Sequence, residues 1–433
     1  MSDLAITTLL VVSLFLILGS GVWIGLALSG VAWIGMQLFS ARPAGDAMAV
    51  TIWGSASSWT LTALPLFVWM GEILFRTRLS QDMFRGLAPW MQSLPGRLLH
   101  VNVAGCALFA AVSGSSAATV ATIGKMSLPE LKQRGYPDAI AIGSLAGAGT
   151  LGLLIPPSII MIVYGVSAEV SIAQLFIAGV VPGLLIAGLF SGYLAAWALL
   201  HRDRVPPPDA GLTFAGKLRE SRHLIPIVLL IAAVLGSIYG GIATATEAAA
   251  LGVVGALAIS AAQGSLTWAT FRASLLGGVR LYCMIALILA GAAFLTLSMG
   301  YIGLPRHLAE WIGSLGLSKL ELLLALMLFY ILLGCFLDGI SMVMLTMGVI
   351  LPTVQAAGID LIWFGIFVVI VVEMAQITPP VGFNLFVLQG MTKREIGWIA
   401  RVTLPFFGLM VAAVGLIYVF PELVTFLPQQ MRR

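Results

Sequence analysis

The sequence predicts an all-α polytopic membrane protein made of two inverted structural repeats, each holding a re-entrant helical hairpin and a broken transmembrane helix. Three observations predict it: the composition, an internal match at a fixed displacement, and a loop charge bias that reverses between the matched halves. Of the 433 residues, 60% are hydrophobic and 9% charged, whereas a soluble domain carries about 25% charged residues. A helix needs about 20 apolar residues to cross a hydrocarbon layer of ~30 Å. The chain offers many such runs: 4–39 (long enough for two), 61–75, 138–168, 172–200, 224–240, 243–263, 281–300, 320–337, 361–390 and 396–420. These runs are continuous instead of alternating, so helices and not a barrel satisfy the backbone.

The internal match centres on Ser113 to Pro157, SGSSAATVATIGKMSLPELKQRGYPDAIAIGSLAGAGTLGLLIPP, an apolar region twice broken by small, polar and proline residues. A displacement of 223 positions puts Pro129 on Pro352, Gly135 on Gly358, Pro156-Pro157 on Pro379-Pro380 and Pro182 on Pro405. Agreement without a gap indicates a duplicated unit whose intervening side chains have diverged.

Taken in order, residues 1–60 are expected to form N-terminal scaffold helices. The opening run could pass for a signal peptide, but Ser2-Asp3 ahead of it is not basic and no convincing cleavage pattern follows, so it reads as the first span. The first repeat is 61–200, with its hairpin at about 98–126 and its broken span at about 138–168. Residues 201–223, HRDRVPPPDAGLTFAGKLRESRH, are the one long polar segment and serve as linker; three consecutive prolines favour extended chain. Residues 224–279 supply further scaffold helices and a connecting arm. The second repeat is 280–420, with its hairpin at about 320–351 and its broken span at about 361–390, and 421–433 form a C-terminal tail.

A hairpin that returns to its own side leaves each copy with an odd number of crossings, so the second copy must be inverted. The loops agree. Connections in the first copy carry Arg76, Arg78, Arg85 and Arg97 against Asp82, then Lys125, Lys132 and Arg134 against Glu130 and Asp138. Their counterparts carry Arg306 and Lys319 against Glu310 and Glu321, then only Asp360. After the broken span the bias reverses, with Glu169 in the first copy and Lys393-Arg394 in the second. The excess of Lys and Arg on cytoplasmic loops then puts 76–97, 125–138, 201–223 and 391–395 inside and both termini outside, although Arg432-Arg433 run against this for the C-terminus.

Irregular backbone persists inside a bilayer only where protein or a water-filled site satisfies it. Half-helix N-termini suit a carboxylate, and unwound carbonyls and hydroxyls supply the oxygen ligands that Na⁺ prefers. The first copy offers Ser113, Gly114, Ser115, Ser116 and Thr119 at the hairpin tip, then Gly147, Gly149 and Thr150 ahead of Pro156-Pro157. The second offers Asp338, Gly339 and Ser341 at its tip, then Glu373, Gln376, Thr378 and Asn384 around Pro379-Pro380. Small-residue clusters also serve close helix packing, as Gly21-x-x-x-Gly25 and Gly143-x-x-x-Gly147 are expected to do. Asp338 and Glu373 carry a cost of about 2.5–3.5 kcal/mol each at bilayer depth. A cation ligand, a proton carrier and the partner of an internal Arg are all open to them. Glu72 and Glu247 lie outside the breaks and are expected to hold helices together or meet a partner subunit, and Lys125 to snorkel to the cytoplasmic face.

Other classes fare poorly. The net charge of +4 sits in short connections and is no nucleic-acid footprint. Cys106, Cys283 and Cys335 lie in apolar runs at no metal-ligand spacing, and buried small hydrophobes are their expected role. His100, His201, His223 and His307 show no zinc spacing, and no histidine lies near either broken region to serve Ser115 or Ser116 as the base of a serine hydrolase. No P-loop is present. An intramembrane enzyme acting through Ser115 or Asp338 is the remote alternative.

The ordered motifs VSGSSAATVATIG, LLIPPS, FLDGISMVMLTMGVILP and ITPPVGFNLFV resemble the large membrane subunit of TRAP transporters, the tripartite ATP-independent periplasmic carriers (DctM-like), over essentially the whole chain. The resemblance implies an elevator-type ion-transporter-superfamily fold and a Na⁺-coupled importer of organic acid anions in the bacterial inner membrane. It implies no enzymatic activity and no organic cofactor. The partners would be the lipid bilayer, a periplasmic substrate-binding protein and a small membrane subunit, expected as a separate chain because the first span begins almost at once. Carried over, Na⁺ would sit at Ser113, Gly114, Ser115 and Ser116 with Gly147, Gly149 and Thr150, and at Asp338, Gly339 and Ser341 with Thr378 and Pro379. Substrate would lie between the tips, near Ser116, Thr119, Pro156, Ser341, Pro380 and Asn384. A stand-alone Na⁺ or H⁺/carboxylate symporter of related fold is the nearer alternative.

Overall fold

The structure, a computed structural model, describes residues 3–207, 213–334, 337–379 and 382–431. The described chain is helical, and its helices begin where the sequence supplies caps. Ser115, Ser158 and Ser171 accept from the backbone N–H three residues on. Thr244 with Glu247 and Ser318 with Glu321 form complete capping boxes. Asp360 accepts from the Trp363 N–H at 2.8 Å. Each cap satisfies donors that the first helical turn leaves unpaired. Among the described residues, six helices are each long and apolar enough to cross a bilayer. Two further pairs pass together across a bend: Ala44–Ala56 with Trp59–Arg76 at 55°, and Asp138–Leu154 with Ile159–Ser167 at 42°.

The internal displacement holds at the level of helices. Ser116–Gln133 lands on Gly339–Ala356 at both ends, Asp138–Gly149 on the start of Leu361–Gln376, and Ile159–Ser167 on Phe383–Thr392. It also carries Asp3–Gly19 onto Ile225–Tyr239 and Ile24–Phe39 onto Ala245–Ala262, so helical registration reaches further toward the N-terminus than the prolines mark. The bent pair 44–76 corresponds to one uninterrupted helix, Trp268–Ile302, long enough at 1.5 Å per residue to cross the bilayer and run on along one face.

Both hairpins are re-entrant, because each brings its start back to its end. Leu98 N–H donates to the Tyr136 hydroxyl at 3.4 Å across the first, and Lys319 Nζ donates to the Gly358 carbonyl at 3.1 Å across the second. Their arms are Leu99–Ser113 with Ser116–Gln133, and Lys319–Leu333 with Gly339–Ala356, somewhat longer on the return than the apolar runs mark. Leu304–Ser314, beside the second hairpin, corresponds to Leu79–Met91 in the first copy.

The loops fall into two groups, one per face. On one face, Arg394 pairs with Asp138 at 2.6 Å, Lys217 reaches Ser93 at 2.9 Å, and Trp90 reaches Ser221 at 2.6 Å. On the other, a cavity is walled by 58–60, 165–173 and 244–246, and the Tyr164 hydroxyl donates to the Leu361 carbonyl at 2.7 Å. Arg42 stacks on Tyr301 there. Counterpart loops, such as 134–138 and 357–361, belong to opposite groups, which is what inversion requires.

Candidate functional site

The first hairpin turns on Gly114, whose φ of +59° is the left-handed region and whose added Cβ would lie 2.8 Å from the Pro157 carbonyl oxygen. Glycine is the residue that meets both demands. Around this turn the hydroxyls are used locally: Thr119 Oγ1 donates to the Ser115 carbonyl at 2.8 Å and lies 3.0 Å from Ser113 Oγ, while Ser115 Oγ caps Ala118 N–H at 3.4 Å. Ser116 differs. Its hydroxyl donates across 257 positions to a carboxyl oxygen of Glu373, in the second copy's broken span. Its backbone rests on Gly152, where a Cβ would come 2.6 Å from Ser116 Cα.

At the second tip, Asp338 accepts from Ile340 N–H at 3.1 Å, from Ser341 N–H at 3.4 Å, and from the Ser341 hydroxyl. Its carboxylate therefore caps its own helix, where the partial positive charge of the N-terminus favours it. A Cβ on Gly339 would meet Val372 at 2.7 Å, Ile160 at 2.9 Å and Gln376 Nε2 at 3.4 Å. Glu373 and Gln376, three apart and so on one helix face, address the first and second tips respectively. One turn of the second broken span thus lies between the two hairpins.

The packing is crosswise. The return arm of the first hairpin lies on Phe383–Thr392 of the second broken span, and the return arm of the second hairpin lies on Ile159–Ser167 of the first. Neither copy closes a site by itself.

Several polar atoms at this crossing lack partners. Glu373 is 0% exposed, and its Oε2 is unbonded. Asn384 is also 0% exposed with both amide atoms unbonded. A Cβ on Gly149 would meet Val120 at 2.1 Å and Asn384 Nδ2 at 3.8 Å, and Val120 stands one helical turn beyond Ser116, so Glu373 and Asn384 border successive turns of the same arm. A carboxyl in an apolar interior with no basic partner keeps its charge only beside a bound cation. Buried unpaired polar atoms are rare enough that a cluster of them marks a place for a ligand, ion or water.

Of the other sequence candidates, Thr150 Oγ1 donates to the Gly147 carbonyl at 2.6 Å, and Thr378 Oγ1 to the Met374 carbonyl at 2.7 Å. Each hydroxyl is tied to the helix end just before its break. Pro156 is buried beside the Pro157 carbonyl that faces Gly114. Pro379 ends the described part of the second break, and Pro380 lies outside the described residues. Gly147 and Gly143 pack closely on the helix Ile396–Val419, where Cβ atoms would meet Phe406 at 2.5 Å and the Val402 carbonyl at 2.3 Å.

Sequence reasoning named Glu373 without its partner and missed Gly152 altogether. Its signal was a second small residue between Thr150 and the prolines, in LGLLIPP. Glu247, expected to join helices or a subunit, instead completes a cap with Thr244. Glu72 pairs with Arg76 at 2.9 Å against Gly277, which does join two helices. Cys283, expected to be buried, is exposed, because its face of the long helix is uncovered.

The sequence profile described as tripartite ATP-independent periplasmic transporter, DctM component, matches residues 9–423. The chain is 33% identical over 386 residues to the C4-dicarboxylate TRAP transporter large permease protein DctM of Pseudomonas aeruginosa, covering 88% of this chain and 87% of that one. It is 30% identical over 428 residues to the ectoine/5-hydroxyectoine TRAP transporter large permease protein UehC of Ruegeria pomeroyi, covering 98% of each. In fold it is similar to the YdaH transporter of Alcanivorax borkumensis, with a TM-score of 0.65 at 14% identity, over 87% of this chain and 88% of that one. With two re-entrant hairpins crossed on two broken spans and a family match running almost end to end, the chain belongs to the DctM family, the large permease component of TRAP transporters, and is a transport protein and not an enzyme.

Proposed function

We propose that this chain is the translocating subunit of a Na⁺-coupled importer of an organic acid anion, of the dicarboxylate, sugar acid or keto acid class, in the bacterial inner membrane. A periplasmic binding protein delivers the anion, and a small membrane subunit stands beside the permease. The observation that carries the reading is the crossing itself: Ser116, Glu373 and Asn384 form a buried polar site with unpaired oxygen and amide atoms and, among the described residues, no basic neighbour bonded to Glu373. A hard cation such as Na⁺ accepts oxygen ligands of this kind. The face holding Arg394, Lys125, Lys132 and Lys217 is cytoplasmic by the positive-inside bias, which leaves both termini in the periplasm.

The rest follows by role. The hairpins and broken spans move as one body past the scaffold helices, an elevator that carries the site from one face to the other. Ser113 to Ser116 and Gly147 to Thr150 serve one Na⁺, Asp338 to Ser341 and Thr378 to Pro379 another, and the anion lies between the tips with Ser116, Thr119, Pro156, Ser341 and Asn384 near it. Importing a dianion against about 100 mV costs roughly 4.6 kcal/mol, at about 2.3 per charge. Two Na⁺ cancel that charge, and their concentration gradient does the accumulating. The test is reconstitution in proteoliposomes: uptake of the anion should require an inward Na⁺ gradient, the small subunit and the loaded binding protein together. Robust uptake by this chain alone would point to a stand-alone symporter instead.

A further inference from the structure

Below the first tip, the return arm carries a line of polar side chains toward the face with the basic loops: Ser115, Thr119, Thr122 and Lys125, at spacings of three and four that put them along one side of the helix. At its lower end is a cavity of about 560 Å³. Hairpin side chains Thr122 and Lys125 form one wall, and Arg76 and Gln81 of the first copy with Thr270 of the long helix form the other. Among the described residues no acidic side chain lines it. Thr122 is 5% exposed and its hydroxyl has no partner. Among the described residues Lys125 has no carboxylate partner; its ammonium lies 5.3 Å from the Phe75 ring centre. Arg76, by contrast, is held by Glu72. On its other side Lys125 borders a second cavity of about 500 Å³ with Lys132, Arg394 and Asp138, where Asp138 is taken by Arg394.

The second copy has a cavity of about 510 Å³ beside Pro352 and Ala356 of its return arm, but its basic side chain, Arg306, is paired with Glu310. The counterparts of Thr119, Thr122 and Lys125 are Met342, Leu345 and Gly348, and a Cβ on Gly348 would lie 2.3 Å from Thr296 Oγ1 of the long helix. The second hairpin therefore meets the long helix directly at Gly348 and the basic side chain of its cavity is paired, while the first borders a cavity with a free cation and a free hydroxyl.

We propose that this cavity is a second carboxylate station, in which Lys125 and Thr122 receive the organic anion after it leaves the tips and before it reaches the cytoplasm. The role rests on the transport reading above. The chemistry follows from the lining: an ammonium without a counterion and an unpaired hydroxyl bind one carboxylate by a charge-assisted bond and a neutral one. An anion descending from the tips then meets hydroxyls on successive turns and a positive charge at the end, so leaving is not opposed by an apolar gap.

Two measurements on the full chain test this. In vesicles of phosphatidylcholine, acylation of Lys125 by an amine-directed reagent applied at the cytoplasmic face is followed by peptide mass spectrometry. Millimolar succinate should slow it several-fold, Thr122→Val should weaken that protection, and Lys393, on the same face but outside both cavities, should react at an unchanged rate. No protection by succinate, or equal protection by inorganic phosphate, would overturn the carboxylate station. Protection that appears only when phosphatidylglycerol is added would assign the cavity to a lipid headgroup and overturn it too. In the reconstituted three-component system, Lys125→Gln should lower the turnover rate about tenfold with KM for the loaded binding protein unchanged, and Lys125→Arg should restore it. Full turnover in Lys125→Gln would overturn the release role, whereas absence of uptake by the unsubstituted protein would speak against the transport reading and leave the protection result to decide the station.

Discussion

Ser116 is where the two halves of the molecule exchange a hydrogen bond, and the chemistry of the site turns on its partner. The Ser116 hydroxyl holds one oxygen of Glu373 and leaves the other bare. Glu373→Gln keeps an acceptor for Ser116 but removes the charge, so the protein should fold normally. The Na⁺ concentration for half-maximal transport should then rise about tenfold, equivalent to about 1.4 kcal/mol of lost cation binding. Ser116→Ala instead leaves the carboxyl with no partner, at a cost of about 1–3 kcal/mol; thermal unfolding of the purified protein should show a Tm lower by a few degrees. Asp338 occupies a different position, since its oxygens are engaged as a helix cap. Asp338→Asn, which can still cap, separates the two roles: a changed Na⁺ dependence with unchanged Tm belongs to a ligand, and the reverse to a cap.

At the scale of elements, the crosswise seating of hairpins on broken spans depends on close approach. Gly152→Val would drive a branched side chain against the Ser116 backbone, where even a Cβ comes within 2.6 Å. Overpacking of this kind costs about 1–3 kcal/mol, and uptake should be lost while the protein remains extractable and helical by circular dichroism. Arg394→Ala should behave oppositely. Arg394 and Asp138 are 51% and 37% exposed, and such a surface pair is worth about 0–1 kcal/mol, so Tm should show no resolvable shift. The hairpins and breaks were legible in the sequence because glycine, proline and hydroxyl residues interrupt apolar runs at positions the displacement matches. The seating was not, because a bond spanning 257 positions leaves no local pattern. The helix Ala44–Ala56 also escaped notice, its Asp46, Gly45, Thr51 and Gly54 diluting any apolar run. The Thr244–Glu247 cap was present in the sequence as Thr-x-x-Glu, but an acidic residue inside an apolar run drew attention to its charge and away from its spacing.

For the whole molecule, the loop charges and the contacts agree. The groups 76–97, 125–138 and 391–395, assigned to one side by charge, are joined through Lys125, which borders the cavities of both Arg76 and Arg394. The linker meets the same face through Lys217 and Ser93. On that face the first hairpin borders a cavity that holds the unpaired Lys125, and on the other the second hairpin meets the long helix at Gly348 and borders a cavity where Arg306 is paired with Glu310. The central claim is that the buried site at Ser116, Glu373 and Asn384, shared by both copies, binds one of the coupling cations. Its most direct measurement is the Na⁺ dependence of uptake in proteoliposomes containing the complete transporter, compared for the unsubstituted protein, Glu373→Gln and Asn384→Ala. Both substitutions should raise the half-saturating Na⁺ concentration while leaving the affinity for the loaded binding protein unchanged. Identical Na⁺ dependence in all three proteins would contradict it.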